Sequence, residues 1–540
     1  MSERRIAYLN GKVYMGNGAF AEAFLTEGER FLKTGSNEEI ASLSADETVD
    51  LEGRFVSPGF NDSHMHLLNY GVVLSNLSLS EHTGSLRDLM ETVKREIGRG
   101  VYHRGKWLIG RGWNQDYFSD EKRMVRRDDL DAISDSVPIL LVRSCGHAAS
   151  VNSAVLRIAN ITKDTKDPEG GTIGRREDGE PDGILYENAI ELLNAVKPLP
   201  DKGDIKEMLV KAMREANRYG ITSVQTDDYS TFRSVPYRTI NEAYEELKAE
   251  GKLTVRVTEQ CNFASLSDFR RFLKDGNLTG RGDTLFRLGP LKLIGDGSLG
   301  SRTAHLSRPY LGTDQAGFSL FSPEELKAII RCANDAGMQV AVHAIGDRCL
   351  DEVLDAYEEA LRSTPRADHR HGVVHCQISR KDQLERIAAL HLHVYAQTIF
   401  LDYDNHIVEA IVPPEVTEYS YSFRTLMQLG VTVSNGSDCP VELPDVASGI
   451  ECGVTRRSKD GTGPFLPREA LTVREALDSY TESGAKASFE EQIKGRIQAG
   501  MLADFVVLDR DPFSIPAEEL HTLRVIKTVL GGKCVFTSKV

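Results

Sequence analysis

Short apolar runs recur along the chain, each rich in β-branched residues and each ending on polar or charged ones. They are Ile221–Thr226 (ITSVQT), Leu253–Cys261 (LTVRVTEQC), Gly289–Ile294 (GPLKLI), Met338–His343 (MQVAVH), Gly372–Cys376 (GVVHC), His393–Thr398 (HVYAQT) and Val431–Asn435 (VTVSN). An earlier one, Phe55–Phe60 (FVSPGF), runs straight into Asn-Asp-Ser-His-Met-His. Runs of this length and composition predict buried strands. Helical periodicity fills the gaps. Ser322, Pro323 and Glu325 supply an N-cap, a first-turn proline and the third-position acid of a capping box. Leu326, Ile329, Ile330 and Ala333 then mark one apolar face before Gly337 stops the helix. Ile205, Met208, Leu209, Ala212 and Ala216 repeat the pattern before Gly220. Strand and helix alternating eight times predict an α/β chain of the (β/α)8, TIM-like barrel type, with residues 55–71 and 200–493 forming the barrel.

Two stretches fall outside this alternation. Residues 72–199 separate the first two barrel strands, far too long for an ordinary connection, and are expected to form an inserted, lid-like subdomain. The chain ends, 1–54 and 494–540, carry the short strand patterns Arg5–Asn10, Lys12–Met15, Asp504–Leu508 and Val525–Leu530. They are expected to pair as antiparallel strands into one small β-sandwich domain; independent tails are the alternative.

Composition narrows the class. The chain has 540 residues and a net charge of −15, from 65 Lys+Arg against 80 Asp+Glu. Such a surface repels phosphate backbones, which argues against a nucleic-acid partner. No uncharged apolar run approaches the ~20 residues of a membrane span, and the N-terminus has no apolar signal core. The eight cysteines are scattered and never form Cys-x-x-Cys, the pattern of a reducing compartment, so a cytoplasmic location is expected. A small-molecule substrate is the expected partner, with a homo-oligomer left open.

The candidate chemistry sits where the strands end. The C-terminal rim of a barrel holds its site. The first strand ends in His64-Met65-His66, whose imidazoles, two residues apart on an extended strand, point the same way. Lys292 lies in the fourth strand, His343 ends the fifth, His375 the sixth, and Asp438 follows the eighth. Singly, each has an ordinary explanation: a hydrogen-bonded core histidine, or a turn aspartate. Together, four of only 14 histidines at one rim suggest ligands for zinc or a similar divalent ion. An ammonium cannot ligate a metal. Lys292 therefore reads either as an interior lysine paired with Asp296 or another acid, or as a carbamate formed with CO2.

The run Pro58-Gly59-Phe60-Asn61-Asp62-Ser63-His64-Met65-His66, with Lys292, His343, His375 and Asp438 in that order, resembles the amidohydrolase superfamily in its binuclear form. Gly110-Arg111-Gly112-Trp113-Asn114-Gln115, Gly146–Ser153 (GHAASVNS), Lys292–Arg302 (KLIGDGSLGSR) and Gly436–Val441 (GSDCPV) are similar to its YtcJ-like branch, which includes N-substituted formamide deformylase. The resemblance covers nearly the whole chain. It implies that His64 and His66 bind a buried metal, that His343 and His375 bind a more exposed one, and that carbamylated Lys292 bridges them. It also implies that Asp438 ligates the buried ion and serves as general base and acid. One or two ions are allowed, zinc first, with manganese or iron as alternatives.

The function expected is hydrolysis of an amide C–N bond, N-formyl or N-acyl, by activated water, with Asp438 and His375 as catalytic residues. A deaminase acting on an aminated ring is the alternative on the same fold. Its mononuclear members show His-x-x-Glu, where this chain has Gly346 three residues after His343. A non-catalytic small-molecule-binding regulator is the other alternative. Trp113, Tyr117, His147 and Arg302 are the substrate-binding candidates, against readings as subdomain core, turn cap or structural ion pair. Cys376 and Cys439 adjoin ligands but alternate away from them, as core thiols.

Overall fold

Strands closed into a barrel are covered on both faces, by helices outside and by packed side chains within. In this computed structural model, which describes residues 3–82, 84–100 and 107–539, eight parallel strands follow one another in chain order. They are β1 (Phe60–Met65), β2 (Ile221–Thr226), β3 (Arg256–Asn262), β4 (Phe286–Ile294), β5 (Val340–Ala344), β6 (Gly372–His375), β7 (His393–Ala396) and β8 (Val433–Asn435). Every residue of β1, β2, β6, β7 and β8 is buried. The helix Pro323–Asp335 forms with the expected capping box on Ser322, and its Leu326, Ile329, Ile330 and Ala333 are buried.

The sheet is nearly closed, and side chains and loop backbone complete the seam between β1 and β8. The Asp438 N–H donates to the His64 carbonyl at 2.8 Å and the His66 N–H to the Cys439 carbonyl at 2.8 Å. The Asp62 carboxylate accepts from the Ser437 hydroxyl at 2.5 Å and from the Ser437 N–H at 3.1 Å. Gly436 permits this approach, since a Cβ there would lie 2.6 Å from the His64 nitrogen.

Phe55–Pro58 does not belong to the barrel. It pairs with Lys12–Gly16 and Phe505–Leu508 in a six-stranded sheet that also holds Ala19–Ala21, Val525–Leu530 and Lys533–Thr537. The chain changes sheet at Gly59, where a Cβ would lie 2.2 Å from the Thr222 hydroxyl. A four-stranded sheet (Arg5–Leu9, Ala23–Glu27, Arg30–Gly35, Glu47–Asp50) shares an apolar cluster with it, including Tyr8, Phe24, Phe31, Val56, Phe505 and Val529. The pairing is mixed rather than antiparallel throughout. Arg5–Leu9 with Glu47–Asp50, and Lys12–Gly16 with Phe55–Pro58, run parallel, because the intervening chain is long enough to cross back.

Tyr70–Lys211 and Phe232–Ala243 form a second compact unit. Its six-stranded sheet runs Gly171–Arg175, Pro181–Glu187, Ala148–Val151, Ile139–Arg143, Leu108–Trp113, Leu77–Ser78. Alternation sorts the strand Ile139–Arg143: Ile139 and Leu141 join the cluster of Leu89 and Trp113, whereas Leu140 joins that of Val151 and Leu185. Among the described residues no helix is long and apolar enough to cross a membrane.

Candidate metal centre

His64, His375 and Asp438 come together at the end of the barrel strands, with one ligand atom of each within 4.8 Å of the others. His64 Nε2 lies 3.3 Å and His66 Nε2 3.1 Å from Asp438 Oδ1. The far nitrogen of each ring is already committed. His64 Nδ1 meets Gln260 Oε1 at 2.6 Å, His66 Nδ1 meets the Asp227 carbonyl at 2.9 Å, and His375 Nδ1 meets Gln397 Oε1 at 2.7 Å. Both glutamines are oriented by their amide ends, Gln260 Nε2 donating to the Ser63 carbonyl and Gln397 Nε2 to the Tyr395 carbonyl. An oxygen opposite Nδ1 requires Nδ1 to carry the proton, leaving the lone pair on Nε2.

Three Nε2 lone pairs therefore border the carboxylate, and Asp438 Oδ1 is buried without a hydrogen-bond partner. Lone pairs facing an anionic oxygen without a hydrogen-bond partner are a donor set suited to a cation. The residues fit a divalent ion bound by imidazole and carboxylate. A proton competes with a cation for the same Nε2 positions. Burial pulls the His66 imidazole down, yet Asp438 and Asp227 outweigh it and raise the group to about 9. Burial alone would push the Asp438 carboxyl up; the His64 and His66 rings instead hold it well below the usual carboxylate range. Burial and the neighbouring His343 push His375 well below its ordinary value.

Two ligand positions have unusual backbones. His375 has φ 76° and Asp438 φ 56°. Left-handed conformations at non-glycine residues cost on the order of 1–3 kcal/mol and gather at functional sites.

The other expected ligands are placed less directly. The His343 ring centroid is 4.5 Å from that of His375, but its Nε2 faces the Gly297 carbonyl at 3.0 Å, so its Nδ1 is the nitrogen left for a ligand. His343 lies outside the converged trio. Lys292 is 2% exposed, and its amine makes one long contact, 3.4 Å, with the Leu293 carbonyl. Burial lowers its basicity against the opposing pull of Asp227 and Asp438. It is not paired with Asp296, whose oxygens accept the His305, Ile345 and Gly346 N–H groups.

Trp113 is fully buried in the core of the inserted unit, stacked on Phe118, the core alternative of its two sequence readings rather than the pocket wall. An aromatic residue inside a motif does not distinguish these two uses. Tyr117 is 70% exposed, and His147 is exposed with Nδ1 at 2.8 Å from Glu187. Arg302 is exposed at φ 55° in the loop after β4. Gln260, Gln397 and Asp227 escaped the sequence reading. The signal was available for the glutamines: each is an amide at the buried C-terminal end of a strand run, like the histidines.

Comparison with known proteins places this geometry. A profile of the amidohydrolase family matches residues 47–536. The protein of Bacillus subtilis (strain 168) that carries the name amidohydrolase YtcJ is 33% identical over 538 residues, 96% of this chain and 98% of that one. N-substituted formamide deformylase of Arthrobacter pascens is 29% identical over 544 residues, 98% of each chain. The crystal structure of an uncharacterized metal-dependent hydrolase from Pyrococcus furiosus superposes with a TM-score of 0.78 at 30% identity, covering 94% of this chain and 100% of that one. With sequence match, barrel and ligand geometry in agreement along almost the entire chain, the protein belongs to the amidohydrolase family and is a hydrolase.

Proposed function

We propose that the protein hydrolyses the C–N bond of an N-formyl or N-acyl amine. The observation that carries this reading is the orphaned Asp438 oxygen facing histidine Nε2 lone pairs; likeness over 98% of both chains to a formamide deformylase supports the bond type. His64, His66, His375 and Asp438 would hold a divalent ion, zinc foremost with manganese or iron as alternatives. His343, through Nδ1, and Lys292 as a carbamate would hold a second. Such an ion, when bound, supplies Lewis acidity and lowers the pKa of water toward ~7.

The chain's own groups handle the protons. Asp438 takes a proton from the attacking water as its oxygen bonds to the carbonyl carbon, and returns it to the nitrogen as the C–N bond breaks. A carboxylic acid and an amine leave. His375, kept neutral by its burial, has its ring fixed by Gln397 beside the reacting carbonyl. Phe400 stacks on that ring, centroids 5.7 Å apart, and excludes water from one face. Lys292 is suited to carbamylation by its buried position without an ion pair among the described residues. The eight unpaired cysteines, Cys145 and Cys534 exposed among them, suit a reducing cytoplasm.

The test is a turnover screen of zinc-, manganese- and iron-loaded protein with N-formyl and N-acyl amines. Free amine should appear, and Asp438→Asn should lower kcat by at least about a hundredfold. Inert amides, with ammonia released instead from an aminated ring, would replace this reading with deamination.

A further inference from the structure

Beside the metal centre lies a cleft of about 320 Å³ formed by the loops that follow β4 to β8. The cleft adjoins the centre through Phe400, which forms one of its walls and stacks on His375. Leu299, Ile345, Phe400, Tyr403 and Val441 give it an apolar lining. Tyr403 and Val441, 58% and 64% exposed, form its rim.

Two carboxylates interrupt this lining. Asp404 is 7% exposed. Both of its hydrogen bonds, from Gln377 Nε2 at 2.8 Å and from the Tyr421 hydroxyl, end on Oδ2. Its Oδ1 has no partner among the described residues, although the side chain lines the cleft. Glu442, half-buried in the same wall, has neither a hydrogen bond nor an ion pair among the described residues. The cation that acts on Glu442, Lys459, is already engaged, its Nζ 3.5 Å from Asp402. A carboxylate oxygen that faces a cleft with no protein donor or counter-charge is free to pair with a cationic group of a ligand. These acids do not make a second metal site. Among the described residues, the one cluster with metal-ligand spacing is His64, His375 and Asp438.

We propose that this cleft is the specificity pocket of the hydrolase, and that it takes a substituent ending in a primary ammonium or guanidinium on an apolar stem. The stem lies between Phe400, Ile345 and Leu299, and the cation meets Glu442 and the free oxygen of Asp404. This rests on the amide-hydrolase reading for the reaction but not for the binding. A site built to pair with a charged group rejects an isostere lacking it far more strongly than an apolar pocket rejects a missing methylene.

The experiment uses the full-length, metal-loaded protein and two matched amides, N-formyl-4-(aminomethyl)benzylamine and N-formyl-4-(hydroxymethyl)benzylamine. The cationic compound should have at least a tenfold higher kcat/KM. Glu442→Gln should cut that preference about tenfold, through KM for the cationic amide, and Asp404→Asn should also reduce it. Equal efficiency for the two amides, or a preference untouched by both substitutions, would overturn the pocket assignment. Calorimetric binding of phenethylamine against phenethyl alcohol separates this from the reaction. Tenfold discrimination there with neither amide hydrolysed keeps the pocket and removes the amidase reading; both amides hydrolysed alike without discrimination does the reverse.

Discussion

Gln260 and Gln397 decide which nitrogen of His64 and His375 is free to bind a metal. Each offers an amide oxygen to Nδ1, and each is held by its own amide nitrogen on a backbone carbonyl. Gln260→Leu removes that acceptor while keeping the buried volume similar. Metal affinity should fall about 10–100-fold, as for other residues that orient metal-bound histidines. Competition with a chelator of known affinity measures it, and an unchanged affinity would show that the tautomer is set elsewhere. At this scale the convergence of His64, His375 and Asp438 was legible because each ends or follows a strand at the same rim. The glutamines were not, because a strand-end amide is compatible with many hydrogen bonds and its partner lies on another strand. For His64 and Gln260 the separation is 196 residues. Trp113 was open between core and pocket wall, since motif membership says nothing about which way an indole packs.

Among the elements, a buried ion pair ties the sheet of chain ends to the barrel. Arg256 on β3 binds Asp504, the residue before the strand Phe505–Leu508, through two contacts of 2.6 and 2.9 Å, with both side chains at most 5% exposed. Asp504 also accepts the Gly531 N–H at 2.8 Å. Asp504→Ala leaves a guanidinium buried without its counter-ion, so the loss of stability should be about 3–5 kcal/mol. Urea unfolding tests this, with the exposed Arg510→Ala as a control expected to move by less than about 0.5 kcal/mol. Most barrel strands were legible as short runs of β-branched residues, which cover on both faces favours. Phe55–Pro58 was misassigned because it continues the same apolar run as β1, and only the pairing partners reveal the change of sheet. The parallel pairs in the end sheets were equally invisible, since strand direction is set by the path of the connections.

For the molecule as a whole, a metal held as proposed by groups from β1, β6 and the turn after β8 would act as a clasp on the barrel. An ion that binds the folded chain alone stabilises it by about 2.7 kcal/mol when its free concentration is a hundredfold above Kd. Chelation should lower the thermal midpoint, and zinc should restore it with a logarithmic dependence on concentration; a midpoint indifferent to metal would exclude the clasp. The seam between β1 and β8 also sets the time at which such a site can exist during biosynthesis. Asp62 and Ser437, which draw its two sides together, are 375 residues apart. At about 5–20 residues per second, a ribosome needs roughly 20–75 s to travel between them. During that interval the nascent His64-Met65-His66 segment has no Asp438 beside it, so under the proposed ligand set the choice of metal would be deferred until the barrel can close.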